Sequence, residues 1–272
     1  MRRLPDFLPL RRRGFTLVEL AIAVTIVAMV VGTLEAVLQG VHHAYAYNEG
    51  HGLATQNARV VLDRIIATAS QATANEQFPG LLVVTDQVGL WQYPEALVVW
   101  HPTGSPANPS GLPLFSELVI YCPSVASPNQ LLEVTLPGNN SVVPAASDQA
   151  SWTQQIAAIK QNPPATAVLL SSLVRTCSIS SSPGSTWRGA VRFQTRLLPS
   201  ASEWSQYQAG TLGWKQLHWV QGICGSTTAL RQIWLGIEMQ FMPGSGILGE
   251  SASAAQPVAY FGSSALYYEM HQ

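Results

Sequence analysis

Glu19 is a carboxylate near the start of a long apolar run, residues 15–38, whose other interruptions are three threonines, Gly32 and Glu35. A carboxylate at the centre of a membrane-spanning helix costs roughly 2.5–3.5 kcal/mol on insertion scales, and such residues usually serve a function. A simpler explanation is that Glu19, about one turn into the run, reaches the headgroup region at little cost. The residues before the run favour a functional role.

The apolar run has the length and the flanking charge of a membrane span. Its 24 residues at about 1.5 Å each give a helix of roughly 36 Å, enough to cross a hydrocarbon core of about 30 Å. Arg11, Arg12 and Arg13 precede it directly, and basic residues at one end of a span hold that end in the cytoplasm. We therefore expect a single-pass inner-membrane helix with a cytoplasmic N-terminus and a periplasmic C-terminal domain.

The sequence Gly14-Phe15-Thr16-Leu17-Val18-Glu19 resembles the prepilin peptidase signature of type IV pilins, type II secretion pseudopilins and competence pilins. In that signature a glycine precedes a phenylalanine, and a glutamate follows at the fifth position of the mature chain. The basic leader and the apolar run match the family as well. The resemblance covers about 30 residues, and the 14-residue leader with Pro5 and Pro9 is longer than many family leaders.

This resemblance implies a processing and assembly mechanism. A prepilin peptidase in the membrane would cut between Gly14 and Phe15, and the new amine of Phe15 would then be N-methylated. The carboxylate of Glu19 would pair with the Phe15 ammonium of a neighbouring subunit, which would set the register of a filament because each charge is costly alone in an apolar core. The implied partners are the peptidase, other pilins or pseudopilins, and an inner-membrane assembly platform of a type II secretion system or a fimbrium.

Two other interpretations of the N-terminus remain open. Residues 44–46 read Ala-Tyr-Ala, a candidate signal-peptidase site, but the apolar part of a signal peptide has about 7–15 residues and this one has 24 with a carboxylate inside. A simple signal anchor explains the span and the arginines but not Gly14, Phe15 or Glu19. The alternative function is a membrane-anchored periplasmic binding or adhesive domain that does not polymerise.

The helical pattern extends beyond the apolar run. Six apolar residues recur at i, i+3 and i+4 and predict one buried helical stripe: Ala58, Val61, Leu62, Ile65, Ile66 and Ala69. Gly40, Gly50 and Gly52 lie before this stripe and would either let one helix bend or mark a break. We expect a leader at residues 1–14, a transmembrane and filament-core helix at 15–38, its continuation at 39–78, and a β-rich domain at 79–272.

The period of the sequence changes after the Pro79-Gly80 pair. Seven short runs are typical of strands: 81–85, 96–100, 117–121, 131–136, 190–198, 212–221 and 233–242. Polar and apolar residues alternate strictly in 190–198 and 233–242, which predicts antiparallel strands with one face on the helix stripe. Residues 151–161 predict a short helix. This order is α+β and resembles the pilin fold, and the helix pattern with the large body resembles J-type minor pseudopilins or W-type minor pilins.

The body of the chain offers no catalytic motif, so we expect a structural protein with no cofactor and no metal site. Charged residues make up 11% against a usual share of about 25%, and the part after Gly14 has 9 basic and 14 acidic residues, which does not favour nucleic acid binding.

An oxidising compartment would allow one disulfide among Cys122, Cys177 and Cys224, with the pair left open. Four of the eight tryptophans lie late in the chain, and core packing is the favoured role over a partner-binding patch: Trp204, Trp214, Trp219 and Trp234.

Overall fold

The computed structural model describes residue 14 and residues 16–181, 184–243 and 256–272, with the backbone alone at 180, 181, 184 and 185. The chain forms two compact units, Met1–Asn48 and Glu49–Gln272. Its helices are α1 (Leu17–Ser70), α2 (Gln149–Gln161) and α3 (Ala201–Gln208). Its strands are β1 (Leu81–Val88), β2 (Trp91–Trp100), β3 (Leu118–Pro123), β4 (Leu131–Thr135), β5 (Val168–Ser171), β6 (Thr176–Ser181), β7 (Gly184–Gly189), β8 (Val191–Leu198), β9 (Thr228–Phe241) and β10 (Val258–His271).

Helix α1 is 54 residues long. Gly40, Gly50 and Gly52 all lie inside it, so of the two alternatives, a bend or a break, the helix break does not occur at these glycines. The helix ends at Ser70, whereas the sequence predicted a continuation to residue 78. It ends there because the chain turns toward the sheet, where the Thr73 N–H donates to the Trp100 carbonyl at 2.8 Å.

The second unit is built around the last turns of α1. The predicted stripe is confirmed, because Ala58, Val61, Leu62, Ile65 and Ala69 are buried and Ile66 is partly buried. These side chains share one apolar cluster with the inner faces of two antiparallel sheets. The helix therefore supplies the centre of the core, and the arrangement is α+β with a pilin-like layout.

A five-stranded antiparallel sheet, in the order β1-β2-β3-β4-β5, has apolar side chains on both faces. One face packs on the α1 stripe, and the other packs on Trp152 and Ile156 of α2. Because neither face meets water at its centre, all six residues of β3 are buried. Continuous burial explains why strict polar alternation is absent from this part of the sequence.

The three-stranded antiparallel sheet, in the order β10-β9-β8, is buried on one face only. Along β9 every second residue from Ala229 to Phe241 is buried, while the residues between them are exposed or half-buried. Here the predicted alternation is confirmed, with Val191, Phe193, Ile233, Leu235 and Ile237 in the core. The outer face of this sheet is therefore open to solvent. A hairpin of β6 and β7 completes the described strands.

Two predictions about the strands need correction. Residues 212–221 do not form a strand, because two short 3₁₀ turns occupy half of that stretch. The Gln216 side chain accepts a hydrogen bond from the Gly213 N–H at 2.7 Å, and Trp219 Nε1 donates to the Trp214 carbonyl at 2.8 Å. These local bonds take the groups that a strand ladder would use. Strands β5, β6, β7 and β10 and helix α3 lie outside the predicted set, whereas the expected helix at 151–161 is present as α2.

Candidate processing and assembly site

The first turn of α1 places Glu19 against Thr16. The Thr16 N–H donates to Glu19 Oε2 at 3.0 Å, and the Thr16 hydroxyl donates to the same oxygen at 2.9 Å. In return, the Glu19 N–H donates to Thr16 Oγ1 at 3.2 Å. This reciprocal pair is a capping box, in which Thr16 is the N-cap and Glu19 the third residue of the helix. The Thr-x-x-Glu spacing is a known start signal for helices, so the sequence alone could have revealed this role.

Gly14 lies just outside this capped turn and is exposed. A Cβ built on Gly14 would have no atom within 4 Å, so nothing in the described chain covers this residue. Phe15, Arg11, Arg12 and Arg13 lie outside the described residues. The predicted cleavage between Gly14 and Phe15, the N-methylation of Phe15 and the role of the arginines stay predictions.

The apolar side chains of α1 in the first unit are not covered by any other part of the chain that the structure describes. All residues from 16 to 49 are exposed, among them Leu17, Ile22 and Val30. Among the described residues, α1 is the one helix that is long and apolar enough to cross a membrane. A core helix of the same composition would be buried, whereas the apolar window of α1 is 0% buried. The helix therefore supports single-pass membrane anchoring.

Fold and site together define an α+β protein with one long N-terminal helix. The helix begins at the capping box of Thr16 and Glu19, and its first part is exposed. Residues 9–34 match the family described as the prokaryotic N-terminal methylation motif, and this segment includes Gly14, Phe15 and Glu19. The match covers about a tenth of the chain and supports a type IV pilin-like protein, a class of structural subunits that includes the pseudopilins. No curated protein and no solved structure matches the chain.

The three cysteines are free thiols in the structure. Cys122 lies in the core cluster between the five-stranded sheet and α2, and burial raises the pKa of its thiol to about 11. A thiol with so high a pKa is a poor nucleophile at neutral pH. Cys177 and Cys224 are half-buried. The disulfide that the sequence allows stays a prediction.

Three of the four late tryptophans belong to one aromatic cluster. The rings of Trp214 and Trp219 are 4.5 Å apart at their centroids, and Trp204 lies 6.4 and 6.3 Å from them. Trp214 and Trp219 are buried, while Trp204 is half-buried beneath the guanidinium of Arg231. The favoured role in core packing is therefore confirmed for Trp214 and Trp219. Trp234 differs, because it lies on the open face of the three-stranded sheet.

The structure brings together a charge cluster that sequence reasoning missed. Glu95 Oε1 accepts hydrogen bonds from Lys160 Nζ and Arg188 Nη1, both at 2.6 Å. The Arg188 guanidinium also donates to Asp86 Oδ2 at 2.6 Å. The side chains of Glu95 and Lys160 are 3% and 2% exposed, so this is a buried network of two anions and two cations. It connects β1, β2, α2 and β7, and no local sequence spacing signals it.

A second ion pair fixes α1 to the five-stranded sheet. Arg64 donates to both carboxylate oxygens of Glu133, from Nε at 2.9 Å and from Nη2 at 2.8 Å. These bonds hold the pKa of Glu133 below its ordinary value. One turn further along the helix, the Tyr121 hydroxyl donates to Thr68 Oγ1 at 2.9 Å. The polar side of the helix is therefore bonded to β3 and β4, while its apolar stripe fills the core.

Proposed function

We propose that this protein is a minor pilin or pseudopilin that a prepilin peptidase processes after Gly14 and that then joins a filament through α1. The observation that carries the proposal is the methylation motif at the start of an apolar helix whose first part has no cover among the described residues. In water such a surface is unfavourable, so it requires a membrane or neighbouring helices. The size of the body favours a minor subunit of a type IV pilus or a type II secretion pseudopilus.

Processing can be tested by producing the chain with and without a prepilin peptidase in the same bacterial membrane. We expect intact-mass spectrometry to show the loss of residues 1–14 and a methylated Phe15 amine only when the peptidase is present. If residues 1–14 stay attached, a membrane anchor without polymerisation becomes the better description. An N-terminus near residue 48 would indicate a conventional signal peptidase and contradict the proposal.

The capping box offers a competing role for Glu19 that a matched pair of variants separates. Glu19→Val removes the carboxylate half of the capping box together with the assembly charge, whereas Thr16→Val removes the hydroxyl half of the box and keeps the charge. Loss of a cap costs about 1 kcal/mol, which a helix of 54 residues tolerates. If Glu19 pairs with a neighbouring ammonium, Glu19→Val should be cleaved normally but excluded from filaments, and Thr16→Val should be incorporated.

Incorporation is measured by immunoblotting of sheared filaments, with cleavage checked by mass spectrometry of the membrane fraction. Glu35→Val is the control, because it removes the other carboxylate of the apolar run and leaves the first turn unchanged. Equal loss of Thr16→Val and Glu19→Val would show that Glu19 acts only as a cap. Normal incorporation of Glu19→Val would refute any role in assembly.

A further inference from the structure

The outer face of the β10-β9-β8 sheet carries an open groove that the function proposed above does not use. Its volume is about 490 Å³, within the range of roughly 300–1,000 Å³ for small-molecule sites. One row of residues crosses the three strands in this groove, made by Gln194, Gly236 and Ser263, which face one another in the strand register. Gly236 and Ser263 are the small residues of this row, and the indole of Trp234 lies over Gly236.

Two aromatic residues flank this row on opposite sides along the strands. Trp234 is 39% exposed and Phe261 is 70% exposed. Phe261 pairs with Glu238, four residues from Trp234, so the two aromatic positions lie about 13 Å apart along the strands. Both rings present apolar surface to water at a place where the neighbouring outward residues are polar.

Gly236 determines how the indole of Trp234 lies. A Cβ at Gly236 would be 2.5 Å from Cη2 of Trp234 and 2.9 Å from Cζ3. The six-membered ring therefore lies along the strand above Gly236 and does not project away from the sheet. A side chain at position 236 would displace it, so the glycine and the tryptophan form one structural unit.

The charged residues that line the groove are one cation and one anion, Arg192 and Glu238, while Arg196, which faces Trp234 in the register, adds a guanidinium beside the groove. Arg192 and Glu238 face each other in the register of β8 and β9, and both line the groove together with Gln194 and Ser263. A guanidinium, a carboxylate, an amide and a hydroxyl offer donors and acceptors with no net charge. Such a set suits a ligand with many hydroxyl groups more than it suits an ion.

We propose that this groove binds a neutral oligosaccharide. Pyranose rings have C–H faces with a partial positive charge that stack on the negative face of an aromatic ring, while their hydroxyls bond to the surrounding carboxylate, guanidinium and amide. A protein partner fits less well, because stable protein interfaces bury about 1,200 Å² or more with a contiguous apolar centre. The outward residues of β8 beside the rings are polar, namely Arg192, Gln194 and Arg196.

Binding can be measured by isothermal titration calorimetry on the full-length chain in a zwitterionic detergent, because sugar-headed detergents would compete. The probes are cellotetraose, maltotetraose and chitotetraose, with tetragalacturonate as an anionic comparison. We expect at least one neutral tetrasaccharide to bind and Trp234→Ala to weaken it about tenfold, the order of effect of one stacked aromatic ring. Saturation-transfer NMR should show contact from aromatic protons to the C–H groups of the sugar.

Two further variants separate binding from folding. Gly236→Ala keeps the tryptophan but moves its ring, so it should weaken binding as Trp234→Ala does while circular dichroism stays unchanged. Trp187→Ala is the control, because Trp187 is also exposed but lies on β7, and it should bind as the unmodified chain does. The proposal is overturned if no neutral probe binds, if only tetragalacturonate binds, or if Trp234→Ala binds normally. A proline-rich peptide is titrated as a further probe, and its binding to the groove in place of a sugar would also overturn the proposal. Filament assembly does not enter this test.

Discussion

Glu95 is the residue on which the buried charge cluster depends. Its Oε1 accepts hydrogen bonds from both Lys160 and Arg188, and the Lys160 ammonium has Asp86 as a more distant partner at 3.9 Å. Removal of one partner from a buried ion pair leaves an uncompensated charge away from water, which is much more costly than the pair itself. The cluster therefore stabilises the contact of α2 and β7 with the sheet only while it is complete.

Glu95→Gln should lower the free energy of unfolding by about 3 kcal/mol, the low end for a broken buried pair, because Asp86 still compensates part of the positive charge. The measurement is urea unfolding of the full chain in detergent, followed by near-UV circular dichroism. Glu269→Gln is the matched control, since Glu269 is exposed on β10 and should change stability by less than about 0.5 kcal/mol. Equal effects of the two variants would contradict a stabilising role for the cluster.

The elements of the second unit depend on how the chain turns from α1 into β1. Gly80 has a φ of +82°, and a Cβ there would be 2.5 Å from the Thr73 carbonyl oxygen and 2.9 Å from Leu266 Cδ2. Backbone atoms cannot move aside as a flexible side chain can. The turn therefore needs a glycine both for its backbone conformation and for the close approach of residue 73.

Gly138 separates these two requirements, because it has the same φ of +82° but no atom within 4 Å of its Cβ position. We expect Gly138→Ala to cost about 1 kcal/mol, the penalty of the left-handed conformation alone. Gly80→Ala should cost more, about 3 kcal/mol in total, since overpacking adds 1–3 kcal/mol. Thermal unfolding of both variants measures the difference, and similar melting temperatures would show that the close contact with Thr73 is unimportant.

Strand prediction succeeded for β1 to β4, β8 and β9 and failed where local hydrogen bonds or small residues hide the period. The 14 residues of β10 contain Gly262, Ser263 and Ser264 at their centre, which interrupts the apolar alternation. Residues 212–221 show the opposite case, since their apolar content is typical of a strand but Trp214 and Trp219 pack on each other. Trp214 and Trp219 are buried in a separate apolar cluster that also contains residues of β9 and β10. This tertiary burial overrides the local preference for a strand.

The two units of the molecule differ in whether their apolar residues are exposed. The first exposes the apolar residues of α1, and the second buries its own from Ala54 onward. A fragment of residues 49–272 should therefore be soluble without detergent and unfold cooperatively. A fragment beginning at residue 63 loses Ala54, Ala58, Val61 and Leu62 from the core and should lose most of its stability, since each buried aliphatic side chain contributes on the order of 1–3 kcal/mol. Size-exclusion chromatography and calorimetry distinguish the two, and an aggregated 49–272 fragment would contradict independent folding.

The sequence alone predicts the features of the N-terminal quarter of this protein: the methylation motif, the apolar helix and the buried stripe from Ala58 to Ala69. These features can be predicted because each depends on residues within a few turns of one helix. The contacts between residues that are distant in sequence follow from the tertiary structure alone. Arg188 reaches Asp86 across 102 positions, and the groove at Trp234 needs the register of three strands. Such contacts follow from long-range pairing, which leaves no spacing signal in a single chain.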